Sequence, residues 1–226
     1  MYQKYFKRIF DIVSSGCALV LLSPILFCTA YLVKKRLGSP VLFTQIRPGK
    51  DGKLFKMYKF RSMTDERDLE GKLLPDDVRL TPFGKKLRST SLDELPELIN
   101  IFKGDMSVVG PRPQLVRDMV FFTDEEMDRQ SVYPGLTGLA QISGRNNITW
   151  EEKFAYDLKY IQKISFIEDL RIIYRTVFKV ANRDDINTDG METAEDLGDY
   201  LLRIGKINKN EYDKKQEAAK ILLRMY

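Results

Sequence analysis

Two adjacent carboxylates, Asp93 and Glu94, stand in the run Arg88-Ser89-Thr90-Ser91-Leu92-Asp93-Glu94-Leu95-Pro96-Glu97. A carboxylate can attack an activated phosphoryl centre to give an acyl phosphate, while its neighbour holds a magnesium ion against the leaving oxygens. Hard Mg2+ takes oxygen ligands. The chain of 226 residues contains no histidine, so carboxylates must carry any acid–base or metal chemistry. The plainer alternative is a helix start, with Ser91 and Glu94 as a capping box and Asp93 as a favourable first-turn acid. Pro96 disturbs that alternative, because proline prefers the first helical position and would move the cap to Leu95.

Downstream, Gly110-Pro111-Arg112-Pro113 holds one arginine between two prolines. The rigid backbone fixes where Arg112 points, which suits recognition of phosphate by a guanidinium fork, and either X-Pro bond is a candidate cis bond. The alternative is a solvated surface turn. Lys59 and Arg61 close a strand and add positive charge, unless they simply meet solvent. In the run Pro134 to Asn146, Gly135, Gly138 and Gly144 would let backbone approach a ligand closely, and Arg145 would stack on a base or pair with a phosphate. That run is neither a P-loop nor a dinucleotide fingerprint.

Several elements must position these groups. Residues 41–46 and 54–60 alternate and are rich in β-branched and aromatic types around a Pro/Gly-bearing turn, which predicts a β-hairpin. Residues 65–80 read as a polar surface loop with a helical turn, a candidate lid. A helix is expected from about Leu95 to Phe102, with Leu95, Leu98, Ile99 and Phe102 on one face and Gly104 stopping it. Thr149 and Glu152 form a capping-box pattern that opens a helix carrying Phe154, Asp157, Leu158 and Ile161. From Ile167 to Val180 an apolar stripe of Leu170, Ile173, Tyr174, Val177 and Phe178 runs beside Arg171, Arg175 and Lys179. That stripe suits either a core or a membrane surface. Residues 208–225 form a Lys-rich helical pattern without recognisable chemistry.

From Ile12 to Val33 there is no charged residue, a run of roughly 22 residues and about 33 Å of helix, enough to reach across a bilayer. Lys4, Lys7 and Arg8 precede it and Lys34, Lys35 and Arg36 follow it, so both ends favour the cytoplasm. Ser23-Pro24 falls mid-run, where proline breaks the helix. A re-entrant hairpin satisfies all three observations, whereas a kinked spanning helix satisfies two. A cleavable signal peptide fits less well, since no small-x-small site follows. The only cysteines, Cys17 and Cys28, lie within this stretch and read as small buried apolar residues rather than a disulfide.

The average composition, 31% charged and 43% hydrophobic, is that of an ordinary globular chain. A net charge of +5 favours polyanions, whether lipid headgroups or nucleotide phosphates. Nucleic acid is disfavoured as a partner by the apolar segment and the lack of any nucleic-acid motif. A non-catalytic membrane-anchored module binding anionic lipid or a partner enzyme remains the rival to an enzyme.

The apolar segment with Ser23-Pro24, YKFRSM at 58–63, SLDELPELINIFKGDMSVVGPRP at 91–113 and PGLTGLAQISGRN at 134–146 together resemble the bacterial sugar transferases, the monotopic phosphoglycosyl transferases. The likeness is greatest to small single-domain members and covers residues 1 to about 185. It implies a helix-rich α+β fold with a re-entrant membrane helix over 1–36 and a catalytic domain over 37–185 with a small β-hairpin and amphipathic interfacial helices; residues 186–226 lie beyond the likeness and, from their polar and Lys-rich helical pattern, read as an accessory helical tail. It also implies ping-pong transfer of a sugar 1-phosphate from a UDP-sugar to undecaprenyl phosphate, with Mg2+ and release of UMP. By motif, Asp93 would be the nucleophile and Glu94 the magnesium ligand, and Arg112 would grip phosphate. Lys59, Arg88, Arg145 and Asp157 would contact donor or lipid phosphate. The implied setting is the bacterial inner membrane, with the catalytic domain facing the cytoplasm and downstream glycosyltransferases and phospholipids as partners.

Overall fold

The computed structural model describes residues 2–144, 148–182 and 195–226. Helix α1 (Lys7–Leu21), preceded by a wide turn Tyr2–Phe6, and α2 (Ser23–Leu37) meet at 64°. The break sits where Pro24 enters the first turn of α2, and Ser23 Oγ donates to Val20 O at 2.8 Å. Proline cannot donate to the turn before it, and the serine hydroxyl satisfies a carbonyl that the broken ladder leaves over. Among the described residues no single helix is long and apolar enough to cross a membrane.

Helix α1 is patterned inside out. Its buried residues are Lys7, Asp11 and Ser15, one turn apart, while Ile9 and Val13 are more than half exposed. Lys7 Nζ pairs with Asp169 at 2.6 Å, and Asp11 accepts from Ser107 Oγ at 3.0 Å and Val108 N at 2.9 Å. Tyr160 and Tyr2 donate to the same Asp169, both at 2.7 Å. Polar contacts thus tie the first turns of the helix to the body with Ile9 and Val13 facing outward, while Ala18 and Leu19 near its end pack on the core of Leu98, Ile101 and Met106. Lys7 is therefore a buried ion-pair partner rather than a free flanking charge. Arg8 caps carbonyls of Phe102 and Met106 at 3.1 and 3.3 Å. Cys17 on α1 and Cys28 on α2 are exposed rather than buried.

Strands β1 (Leu42–Pro48) and β2 (Leu54–Phe60) form the expected antiparallel hairpin, Leu42 opposite Phe60. A helical turn α3 (Asp76–Arg79) lies in the 65–80 loop and leads to α4 (Pro82–Ser89), capped by Thr81 Oγ1 accepting from Gly84 N. Helix α5 (Glu97–Lys103) ends at Gly104, whose φ of 103° is left-handed. Strand β3 (Ser107–Val109) is followed by short helices α6 (Val116–Met119) and α7 (Asp124–Met127), then β4 (Gly135–Thr137), parallel to β3. Helices α8 (Leu139–Ser143), α9 (Trp150–Gln162) and α10 (Phe166–Asn182) follow, and α11 (Leu197–Arg203) and α12 (Lys209–Met225) complete the chain.

The buried face of α5 is not the expected one. Leu98 and Ile101 pack with Phe55, Met57 and Met106, while Ile99 and Phe102 are exposed at 38% and 50%. Asn100, fully buried, decides the rotation: its Oδ1 accepts Tyr58 N at 3.0 Å and its Nδ2 donates to Lys56 O at 2.8 Å. A buried amide must be satisfied on both ends, and strand β2 offers both a donor and an acceptor, with Asp105 Oδ2 taking a second Nδ2 hydrogen at 3.0 Å. On α10 the core takes Asp169 and Ile172, whereas Ile167, Tyr174, Val177 and Phe178 are more than half exposed. That stripe is therefore surface, adjoining α1 through Phe166 packed on Tyr2 and Phe10. The capping box on α9 forms as expected, Thr149 Oγ1 accepting Glu152 N at 3.2 Å. The two tail helices pack on the body, Leu197 joining Phe121, Phe122, Trp150 and Phe154.

Candidate active site

Asp93 and Glu94 lie on a single 3-10 turn, Leu92–Glu94, between α4 and α5. The turn is entered through Ser91 with φ of 54°, and Ser91 makes no side-chain capping bond. The capping-box alternative therefore fails, and the α5 cap is Pro96, one residue beyond the sequence expectation. Serine held at positive φ costs roughly 1–3 kcal/mol, and such strain collects at functional sites.

Strand β2 brings Lys59 beneath the dyad. Counting by two along the strand puts Lys59 on the inward side with Phe55 and Met57, so it does not meet solvent. Its Nζ lies 2.7 Å from Glu94 Oε1 and 3.1 Å from Glu97 Oε1. The same Glu94 oxygen accepts from Arg112 at 2.7 Å. Arg112 thus reaches Glu94 through one nitrogen, and 42% of its side chain stays exposed. A small polar cavity behind the pair is lined by Arg47, Met57, Lys59, Glu97, Arg112 and Pro113.

These contacts separate the acids electrostatically. Burial raises the Glu94 carboxyl, but Arg112 and Lys59 outweigh it and hold the group well below the usual carboxylate range. Asp93, 8% exposed and without an ion pair among the described residues, is pushed up to about 6 by burial and by Glu94. Burial pushes Glu97 up to about 7 despite Lys59. Lys59 is lowered by burial and raised further by Glu94 and Glu97, so the ammonium persists. Arg88 donates from Nε to Ser62 Oγ at 3.0 Å, and its charge favours ionised Asp93.

Not every expected residue joins them. Asp157 is 2% exposed and pairs with the equally buried Arg129, Nη2 to Oδ2 at 2.6 Å, so it is not open to a ligand. Arg145 lies outside the described residues. The glycines serve packing: a Cβ on Gly135 or Gly138 would lie 2.1 Å from Gly110 N or 2.2 Å from Gly110 O. They let β4 press against the base of the Pro-Arg-Pro turn. Among the described residues the one cis peptide bond precedes Pro40, so the bonds before Pro111 and Pro113 are trans. Glu97, Asn100, Arg47 and Arg129 escaped sequence reasoning. Only Glu97 carried a signal, one helical turn after Glu94.

A model of the family described as bacterial sugar transferase matches residues 2–183. The chain belongs to the bacterial sugar transferase family. It is 49% identical to the uncharacterized sugar transferase EpsL of Bacillus subtilis (strain 168) over 84% of this chain and 94% of that protein. It is 47% identical to the UDP-glucose:undecaprenyl-phosphate glucose-1-phosphate transferase of Klebsiella pneumoniae, covering 77% of this chain and 40% of the other. The undecaprenyl-phosphate galactose phosphotransferase of Salmonella typhimurium (strain LT2) is 36% identical over 80% of this chain and 41% of its own length. The chain therefore spans nearly all of the first relative but about two fifths of the two longer ones.

The donor set suits an oxygen-seeking ion. Among the described residues no three acidic, cysteine or histidine side chains converge as a metal cage. Mg2+ needs none, since it binds through one or two carboxylates plus water and substrate phosphates; with Glu94 Oε1 shared by Lys59 and Arg112, such an ion would rest on Asp93 and the other Glu94 oxygen.

Proposed function

We propose that this sugar transferase moves a sugar 1-phosphate from a UDP-sugar to undecaprenyl phosphate and releases UMP, a first membrane step in glycoconjugate assembly. The observation that carries the reading is the division within the dyad: Glu94 is fixed by two cations, while its neighbour Asp93 is buried and, among the described residues, without an ion pair. The relatives named for undecaprenyl phosphate, one of them also for UDP-glucose, support the same chemistry.

In this mechanism an Asp93 carboxylate oxygen attacks the β-phosphorus of the donor. The bond from that phosphorus to the bridging oxygen breaks, and UMP leaves with the electron pair. The enzyme then carries an aspartyl phosphosugar. An oxygen of the lipid phosphate attacks the same phosphorus, Asp93 departs as carboxylate, and the product is a lipid diphosphosugar. Arg112, outward-facing, is the cation a diphosphate can recruit, while Lys59 stays behind to hold Glu94. Glu94 would hold Mg2+, which supplies charge neutralisation on the departing oxygens when bound.

The exposed apolar surface supports a membrane setting. Val20, Leu21, Phe27 and Ile167 are each more than 70% exposed, and they belong to outward apolar sides of α1, α2 and α10 of the kind that marks a membrane or partner contact. We read the bent α1–α2 pair as re-entrant in the inner membrane, with the catalytic body on the cytoplasmic face and downstream glycosyltransferases taking its product. Purified protein mixed with a UDP-sugar, Mg2+ and polyprenol phosphate is expected to release UMP, and Asp93→Asn is expected to abolish release. UMP formation by that variant at the wild-type rate would remove Asp93 as nucleophile, and no release by the wild type with any UDP-sugar would favour a non-catalytic module.

A further inference from the structure

Arg129 takes no part in the chemistry above, yet it is 3% exposed and its partner Asp157 is 2% exposed. Its surroundings explain such burial. The guanidinium donates to Asp157 Oδ2 from Nε at 3.2 Å and from Nη2 at 2.6 Å, and its carbon lies 5.3 Å and 5.8 Å from the ring centres of Phe122 and Phe154. A remaining Nη2 hydrogen points to the carbonyl of Arg112, 2.7 Å away.

That carbonyl belongs to a turn that cannot anchor itself through donors at its prolines. The turn is held by its acceptors instead, each from a different segment. Pro111 O accepts Gly135 N at 2.9 Å, Arg112 O accepts Arg129, and Pro113 O accepts Arg47 Nη1 at 3.1 Å. The middle contact sits directly behind the Cα from which Arg112 reaches Glu94.

We infer that Arg129, oriented by Asp157 and the two phenylalanine rings, is a positioning residue that aims Arg112 at the reacting phosphate, and that Asp157 influences transfer only through it. This rests on the reading in which Arg112 meets the donor. It replaces direct contact between Asp157 and substrate with a chain Asp157, Arg129, Arg112 carbonyl. The energetic reason is that a buried carboxylate and a guanidinium satisfy one another and leave one strong donor for the turn.

The test uses the full chain in detergent, with Arg129→Gln, Asp157→Asn, Arg112→Lys and the Asp157→Asn/Arg112→Lys double variant. Hydrogen exchange at the amides of Gly110, Arg112 and Gln114, the three that the segment retains between its prolines, reads the turn independently of activity. Both Arg129→Gln and Asp157→Asn are expected to speed exchange there and to lower kcat/KM for the UDP-sugar by about 10- to 100-fold. The double variant is expected to be no worse than Arg112→Lys alone, because the two changes cut one chain. Unchanged exchange at the turn, or additive losses in the double variant, would overturn the inference; additivity would return Asp157 to substrate. Faster exchange with undiminished UMP release in Arg129→Gln would overturn it too, whereas undiminished release by Arg112→Lys would remove Arg112 from the donor site and with it the reading on which the inference rests. Where Arg129→Gln fails to fold, Arg129→Lys keeps the charge toward Asp157, and its partial loss with loosened turn exchange supports the same conclusion, whereas wild-type exchange contradicts it.

Discussion

Lys59 Nζ lies 2.7 Å from Glu94 Oε1, joining the inward side of a strand to a 3-10 turn, and the same ammonium reaches Glu97 at 3.1 Å. One cation thus holds two acids, and among the described residues Glu94 alone of the two has a second ion-pair partner, Arg112. The arrangement keeps Glu94 ionised at any physiological pH and leaves Asp93, within the dyad, as the acid whose charge state is open, with Glu97 behind it also raised toward neutrality.

Lys59→Met should expose that dependence. Removing one partner from a buried ionic cluster costs about 3–5 kcal/mol, and proton uptake by Glu97 offsets part of it. A loss of about 2–4 kcal/mol is expected, read as a lower melting temperature. Adding Glu97→Gln should recover part of the loss; a further fall would mean that Glu97 stabilises by another route.

Asp93 should cost the metal-free protein stability at neutral pH. The folded state holds its proton up to about 6 rather than 3.8, so its favourable contribution is complete below the unfolded value and lost as pH rises through about 6. Asp93→Asn cannot ionise. It should melt higher than wild type at pH 7, by the equivalent of about 1–3 kcal/mol, with the gap closing toward pH 4. A constant gap across that range would show that the carboxylate is not the cause.

The bent α1–α2 pair predicts that its two ends share a compartment. In a chain lacking Cys17 and Cys28, single cysteines placed at Lys4 and at Arg36 should both be shielded from an impermeant thiol reagent added outside whole cells. Labelling at one end only would indicate a spanning helix.

Gly198→Ala should loosen the tail. A Cβ there would lie 2.6 Å and 2.8 Å from Phe121 ring carbons and 3.1 Å from Tyr212, and buried rings cannot step aside cheaply. Overpacking of about 1–3 kcal/mol is expected, seen as faster proteolysis between the body and α11. Unchanged cleavage would mean that the ring stack absorbs the methyl.

Local sequence rules made much of the architecture legible. Alternation marked the hairpin, Thr149 and Glu152 marked the start of α9, Gly104 marked the end of α5, and Pro24 marked the bend. Each depends on neighbours within a few residues, where steric and capping rules act alone. The motifs likewise pointed to Asp93, Glu94, Arg112 and Lys59 as one site, and the structure brings these four together.

What sequence could not decide was orientation and partnership across the fold. Hydrophobicity put Ile99 and Phe102 in the core of α5, but the buried amide of Asn100 turned the helix and left them outside. The same limit hid the inverted pattern of α1, where Lys7 and Asp11 face inward because Asp169 and Ser107 await them far along the chain. Asp157 read as a ligand contact until Arg129, 28 residues upstream, proved to cover it. Sequence by itself determined which groups could do chemistry and where the chain must bend. Tertiary structure decided which of them are paired, because a charge becomes available or silent only through the opposite charge that long-range folding places beside it.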